Sequence, residues 1–148
     1  MAGDVIDPKI AAERLNARAR GTNLEARGTR FIEVSAERAI AELRFRPDLA
    51  QLTGLFHGGV ILSLADETAT ACALATVMPD GEWDPGKFPL TIQLSANLIR
   101  NTNTGKLIAE AVPVHKGRTS MVLQTTVRDP QGRVMAVVTA TLLMLNRS

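Results

Sequence analysis

Hydrophobic positions along this chain recur with two different periods, and the switches between them mark out its elements. From Pro8 to Arg20, residues Ile10, Ala11, Leu15 and Ala19 fall near helical spacing. Asp7 is placed to cap that helix ahead of Pro8, and Gly21 to end it. Phe31 to Val34 and Ala39 to Phe45 alternate apolar with polar residues and predict two short strands, stopped by Pro47 and Asp48. Gly59 to Met78 is apolar or small almost throughout, which predicts a long helix that must be buried. A loop from Pro79 to Pro89 follows, marked by Asp80-Gly81 and Asp84-Pro85-Gly86. In Leu90 to Leu98 every even position is apolar, whereas Thr91, Gln93, Ser95 and Asn97 fill the odd ones. Turn residues then separate strands expected at Leu107 to His115, Thr119 to Arg128 and Val134 to Leu145. Such short links predict an antiparallel meander of these four strands. Pro113 inside one of them predicts an edge or a bulge.

One long buried helix beside an antiparallel meander predicts an α+β fold in which the sheet curls around a central helix, the hotdog architecture. Residues 1–148 are expected to form a single domain, with 1–28 as an N-terminal helical extension. Composition narrows the function classes. Aromatic residues are 3% of the chain with no tyrosine, and 17 basic and 15 acidic side chains alternate along it, so neither a stacking platform nor a basic stripe for nucleic acid is expected. Cys72 is the only cysteine and no Cys/His spacing suggests a metal, so no metal or redox cofactor is expected. Asp4 and Asp7 stand where a signal peptide needs basic and then apolar residues, and no uncharged apolar run approaches the roughly 18 residues that span a bilayer. The expected setting is the reducing cytoplasm, without a membrane partner.

Candidate chemistry lies on the long helix. A helix wrapped by a sheet should avoid ionisable groups, yet Asp66 and Glu67 stand side by side in its first half. At about 100° per residue, Thr70 and Ser63 lie roughly 40° and 60° from Asp66, forming one polar stripe, while Glu67 lies about 100° round. At the helix start, Gly58 and Gly59 offer backbone N–H groups at the positive end of the helix dipole, with no Cβ to obstruct a carbonyl. A carboxylate plus an oxyanion donor is a minimal acyl-transfer set. Asp66 is nevertheless about 10 Å along the helix from Gly59, beyond the roughly 3 Å of hydrogen-bond reach. The two halves of a site are therefore expected from different chains, in a homodimer or a dimer of dimers.

The string HGGVILSLADETAT, with LSANLIRN, GKLIAEA and HKGRTSMVLQTTVRDPQGRVMAVVTAT downstream, resembles the phenylacetyl-CoA and 4-hydroxybenzoyl-CoA thioesterase branch of the hotdog superfamily over about residues 30–145. The resemblance implies an acyl-CoA thioesterase acting on an acyl-CoA substrate. In it Asp66 is the catalytic carboxylate, Gly58 the oxyanion donor, Thr70 a residue that places the attacking water and Gln51 an amide near the thioester. It also implies that Arg100, Gly117 and Arg118 contact coenzyme A; His57 and Gly59, beside the oxyanion donor at the helix start, are further expected substrate-binding residues. Glu67 beside Asp66 departs from the pattern and offers a second acid. Asp66 activates water or attacks to give an anhydride, and the sequence leaves both open. The loop from Pro79 to Pro89, with Trp83 and Phe88, is expected to wall the acyl pocket. Two other readings remain: a hotdog hydratase or dehydratase, which wants a histidine beside the acid, and a non-catalytic acyl-CoA-binding module. Blander roles also stand: His57 bonding its own loop, Cys72 packing in the core, and His115 at the surface.

Overall fold

The computed structural model describes residues 4–145. Helices α1 (Pro8–Arg18) and α2 (Asn23–Arg27) precede strands β1 (Arg30–Val34) and β2 (Ala39–Arg44); the long helix α3 (Gly58–Val77) follows, and then β3 (Leu90–Leu98), β4 (Lys106–Lys116), β5 (Ser120–Arg128) and β6 (Val134–Leu143). All six strands form one antiparallel sheet in the order β1-β2-β4-β5-β6-β3, and α3 touches every one of them. This is the expected α+β hotdog arrangement of a curled sheet around a central helix.

The helix sits close to the sheet because both surfaces are built from small side chains. Ala65, Ala69, Ala71 and Ala73 of α3 are fully buried, as are Ala39, Ala41, Ala109, Ala111, Ala136 and Ala140 of the strands that receive it. Larger residues, among them Leu43, Leu107, Leu123 and Leu142, fill the space around this seat. The buried hydroxyl of Thr125 on β5 donates to the Ala65 carbonyl at 3.4 Å, and Thr68 satisfies its own hydroxyl on the Leu64 carbonyl at 2.6 Å. The apolar run that could pass for a membrane span is thus the core helix of this sheet, with half-buried positions left on its outer side.

Two expectations need correction. The last four strands are not a simple meander: β4, β5 and β6 are, but β3 lies beyond β6 at the sheet edge. The short link did preserve antiparallel direction, but the seven residues 99–105 extend up to about 23 Å, enough to step across three strand spacings of about 4.8 Å. The α1 helix also ends at Arg18, two residues early, and Gly21 (φ 77°) turns the chain into α2. Other local readings hold. Asp7 caps α1 by accepting from the Lys9 and Ile10 amides at 2.9 and 3.3 Å, and a register shift after Pro113 marks a bulge where β4 has run past β2.

The N-terminal helices are anchored to the fold at two points. The Asn16 side chain both donates to and accepts from the Phe31 backbone, at 2.9 and 2.8 Å, sealing α1 onto the free edge of β1. After α2, the Arg27 guanidinium forms a two-pronged ion pair with Glu67 on α3, and the Thr29 hydroxyl donates to the same carboxylate at 2.9 Å. The side chains of Arg27 and Glu67 are only 14% and 11% exposed. Removing the cation would leave a nearly buried carboxylate with one hydroxyl partner. Arg27→Ala is therefore expected to cost about 2 kcal/mol, a melting-temperature drop of about 4–8 °C by calorimetry. Loss of less than about 1 °C would mean that the pair does not anchor the extension.

Candidate active site

Because the sheet curls, its two edge strands approach the flanks of α3 that the seat leaves uncovered. A cavity of about 700 Å³ occupies the gap, bounded by α3, by Phe31 of β1 and Thr91 of β3, and closed over by α1, α2 and the 79–89 loop. Ser63, Asp66 and Thr70 all line it, so the polar stripe expected from the helical angles faces open space. Trp83 and Phe88 wall it, also as expected, and pack edge to face with centroids 6.1 Å apart.

Asp66 is half-buried and accepts a hydrogen bond of 2.6 Å from the Thr91 hydroxyl. The β3 alternation put Thr91 on the outward polar face with Gln93. A bulge at Ile92 reverses this, since the register shifts between Thr91 and Gln93 and Thr91 pairs opposite the fully buried Leu142. Simple period-2 reading could not find this residue, and no turn residue in the strand signals the bulge. Ser63 spends its hydroxyl on the Gly59 carbonyl at 2.8 Å. The Thr70 hydroxyl makes no hydrogen bond among the described residues, unlike Thr68 and Thr76, which bond back along the helix. Thr70 lines the cavity with that hydroxyl unengaged. The ambiguity between adjacent acids also narrows: Glu67 is engaged by Arg27 and Thr29, whereas among the described residues Asp66 meets no cation.

At the helix start, His57 caps α3: its Nδ1 accepts the Gly59 N–H at 2.9 Å. This is the bland reading of His57, and it consumes the Gly59 donor. The Gly58 N–H has no acceptor among the described residues, so it is the donor of the pair still free for an oxyanion. A Cβ at Gly58 would come within 2.9 Å of Leu98 Cδ1 at the far end of β3, a flexible and exposed side-chain end that can shift. Gln51 lies in the loop before the helix, where its side-chain oxygen accepts the Thr53 amide and its backbone N–H donates to Leu55 at 2.8 Å. It does not reach the Asp66 cavity in this chain.

The remaining candidates are spread out. Arg100 follows β3 and donates to the Val134 carbonyl at 3.1 Å, near the start of β6. Gly117 and Arg118 form the β4–β5 turn, at the opposite end of the strands, where the Thr119 carbonyl meets the Met144 amide. Eight residue steps of β3 separate these ends by about 27 Å, so one chain does not bring them together. Gly117 is sterically required: an added Cβ would lie 2.8 Å from the Ser120 carbonyl oxygen. His115 is exposed beside that turn.

Cys72 is fully buried on α3 and donates weakly to the Ala36 carbonyl at 3.6 Å. Burial pushes its thiol up to about 12, so it stays protonated at any working pH and has no part in nucleophilic chemistry. Ellman's reagent at pH 8 is expected to leave the native protein unmodified and to titrate one thiol after denaturation; rapid reaction of the native form would contradict this placement.

Comparison with known proteins identifies the family and the fold. Residues 53–136 match the thioesterase superfamily, leaving α1, α2 and the first two strands outside the match. Rv1847 of Mycobacterium tuberculosis, which bears an esterase name, is 32% identical over 109 residues, covering 74% of this chain and 76% of that protein. Its solved structure superposes with a TM-score of 0.77 at 28% identity over 84% of this chain and 97% of that one. A 1,4-dihydroxy-2-naphthoyl-CoA hydrolase of Listeria monocytogenes is 23% identical over 80% of this chain and 91% of its own length. The fold is shared too with a protein of Streptococcus mutans crystallised with acetyl CoA, at a TM-score of 0.70 and 23% identity over 82% and 92% of the two chains. The chain belongs to the thioesterase superfamily, as a hydrolase of the hotdog fold.

Proposed function

We propose that the protein is an acyl-CoA thioesterase whose active site is completed by a second copy of the same chain. The observation that carries this reading is the separation of a carboxylate that meets no cation and a backbone donor that meets no acceptor among the described residues. Asp66 faces the cavity with its Thr91 partner, while the free Gly58 N–H lies eight residues, about 12 Å, toward the helix start.

Strand β3 suggests how the halves meet. Its outer edge is unpaired among the described residues, and Ile92, Leu98 and the adjoining Ile99 are 61%, 54% and 52% exposed. A two-fold axis that pairs this edge with itself runs the two β3 strands antiparallel. Thr91, which holds Asp66, marks one end of β3; Leu98, which packs at Gly58, marks the other. Antiparallel pairing therefore brings the carboxylate end of one chain opposite the glycine end of its partner. It also turns Arg100 of one chain toward the end of the sheet that bears the partner's β4–β5 turn. Arg100 and the turn Gly117-Arg118 can then act together on one phosphate-rich coenzyme A. Gln51, on the loop leading into Gly58, approaches the thioester from the same side.

In the resulting site the thioester oxygen accepts the Gly58 N–H. Asp66 of the other chain, oriented by Thr91, takes a proton from a water held by Thr70. The water oxygen adds to the carbonyl carbon, the Gly58 dipole stabilises the oxyanion, and collapse expels the coenzyme A thiolate, which receives the proton. The product is the free acid. Direct attack by Asp66 gives the same products through an anhydride; in a single turnover in ¹⁸O-water, label in Asp66 establishes the anhydride route with water attacking the aspartyl carbon, because the general-base route puts label only into the product acid. The named substrate of the Listeria relative, an aryl-CoA thioester, supports the substrate class. The His57 cap weighs against a dehydratase, since that imidazole is committed to the loop and not to Asp66.

Release of free thiol from a panel of acyl-CoAs is the test. Asp66→Asn is expected to lower kcat by at least about 100-fold, and Glu67→Gln to lower it by less than about threefold. Full activity in Asp66→Asn, or collapse in Glu67→Gln alone, reverses the assignment. Mixing Asp66→Asn with a separately inactivated Gly58 variant is expected to restore up to about a quarter of the sites by random pairing. No recovery despite proven subunit exchange overturns the shared site.

A further inference from the structure

The far end of the cavity carries a feature that hydrolysis does not require. The Arg18 guanidinium lies 4.2 Å from the centroid of the Trp83 ring, which in turn leans on Phe88. Among the described residues Arg18 forms no ion pair, so its charge is held only by this aromatic face. Both residues line the cavity, together with Leu15 of α1 and Leu74 of α3. The level of Leu74 is eight residues from Asp66, a rise of about 12 Å along α3, which matches a medium-length acyl chain.

The stack is a built junction between two segments. Gly81 of the loop is pressed against the N-terminal segment so closely that a Cβ there would come within 2.7 Å of Ile6 Cδ1 and 3.0 Å of the Arg14 guanidinium. The Ile6 amide donates to the Pro79 carbonyl at 3.0 Å. At its other end the helical pair is held by Arg27 on Glu67, one residue from Asp66 in sequence. The extension is therefore fixed at the reacting end of the cavity and crosses it to reach the loop at the distal end.

We infer that the Arg18–Trp83 stack is the end wall of the acyl cavity and sets the longest acyl group the protein accepts. Leu15, Leu24 and Phe88 give the sides an apolar lining. An aryl or medium-length acyl group fills the space between Asp66 and the stack; a longer chain has to part the guanidinium from the ring. The N-terminal extension, outside the matched superfamily region, is thus a specificity element of this chain.

The kinetic half of the test rests on the thioesterase reading, and the binding half does not. Trp83 is the only tryptophan and tyrosine is absent, so protein emission reports the end wall directly. Trp83 is 37% exposed, and hydrocarbon packed against it removes water. Titration with non-hydrolysable thioether analogues is expected to shift emission to the blue with octanoyl-CoA and to leave it unchanged with acetyl-CoA. An equal response to both, or to neither, overturns the inference. In turnover, Trp83→Ala and Arg18→Met are each expected to raise the palmitoyl-to-octanoyl ratio of kcat/KM, by about tenfold for Trp83→Ala, while Trp83→Phe stays near the wild-type ratio. Unchanged ratios in variants that melt at the wild-type temperature also overturn it. If wild type cleaves no thioester while Trp83 emission still separates octanoyl from acetyl, the end wall stands and the thioesterase reading falls.

Discussion

The rotation of α3 about its own axis is the setting on which the cavity depends. A turn of about 100° in either direction exchanges neighbours on the helix, and here the neighbours are two acids with different fates. The alanine-lined seat fixes that rotation from the sheet side, because close approach of the helix to the sheet leaves little room for any other set of side chains. Thr125 adds a directional constraint by donating to the Ala65 carbonyl, immediately before Asp66. From the other side, Arg27 and Thr29 hold Glu67. Seat and ion pair hold different sides of one helix; Asp66 lines the same cavity as Glu67 and Arg27 and is the acid that meets no cation among the described residues.

This division explains why two adjacent carboxylates can coexist in a helix that is otherwise nearly all apolar. Glu67 tolerates low exposure because its charge is matched by a forked guanidinium and a hydroxyl. Asp66 tolerates its position because the cavity keeps it partly open and Thr91 supplies a donor. One acid is part of the scaffold, and the other is held in place with a face left free. Helical angle and the resemblance of HGGVILSLADETAT favour Asp66 over Glu67, but what holds Glu67 is not in that string, since it depends on Arg27 and Thr29, about forty residues upstream.

What could be read from sequence follows the range of the interactions involved. The α3 helix, the polar stripe of Ser63, Asp66 and Thr70, the Asp7 cap and the Pro113 irregularity are local, and periodicity or turn chemistry exposed each of them. The position of β3 was not legible, because a seven-residue link can reach the neighbouring strand or pass over it, and only packing around α3 decides. Thr91 was misplaced for a related reason: one extra residue at a bulge inverts every side chain beyond it, and that inversion leaves no trace in a strict alternation. The role of α1 and α2 was also hidden, since it rests on contacts with Phe31, Glu67 and Trp83, 15, 40 and 65 residues further along the chain.

The bulge links the catalytic proposal to the edge-strand problem. An unpaired, exposed and apolar edge is a liability that folds usually blunt with charge or proline, and β3 uses neither. The opposite edge, β1, is sealed by Asn16 of the extension. Among the described residues the chain therefore protects one edge with its own segment and leaves the other bare, and the bare strand is the one that carries Thr91 at one end and meets Gly58 at the other. If β3 served only as an edge, its inward turn at Thr91 would gain nothing, because Leu90 and Ile92 stay exposed on either side of it. Thr91 turned inward holds Asp66. Under the proposed shared site the open edge has a matching use, since it admits the partner whose Gly58 N–H completes that site.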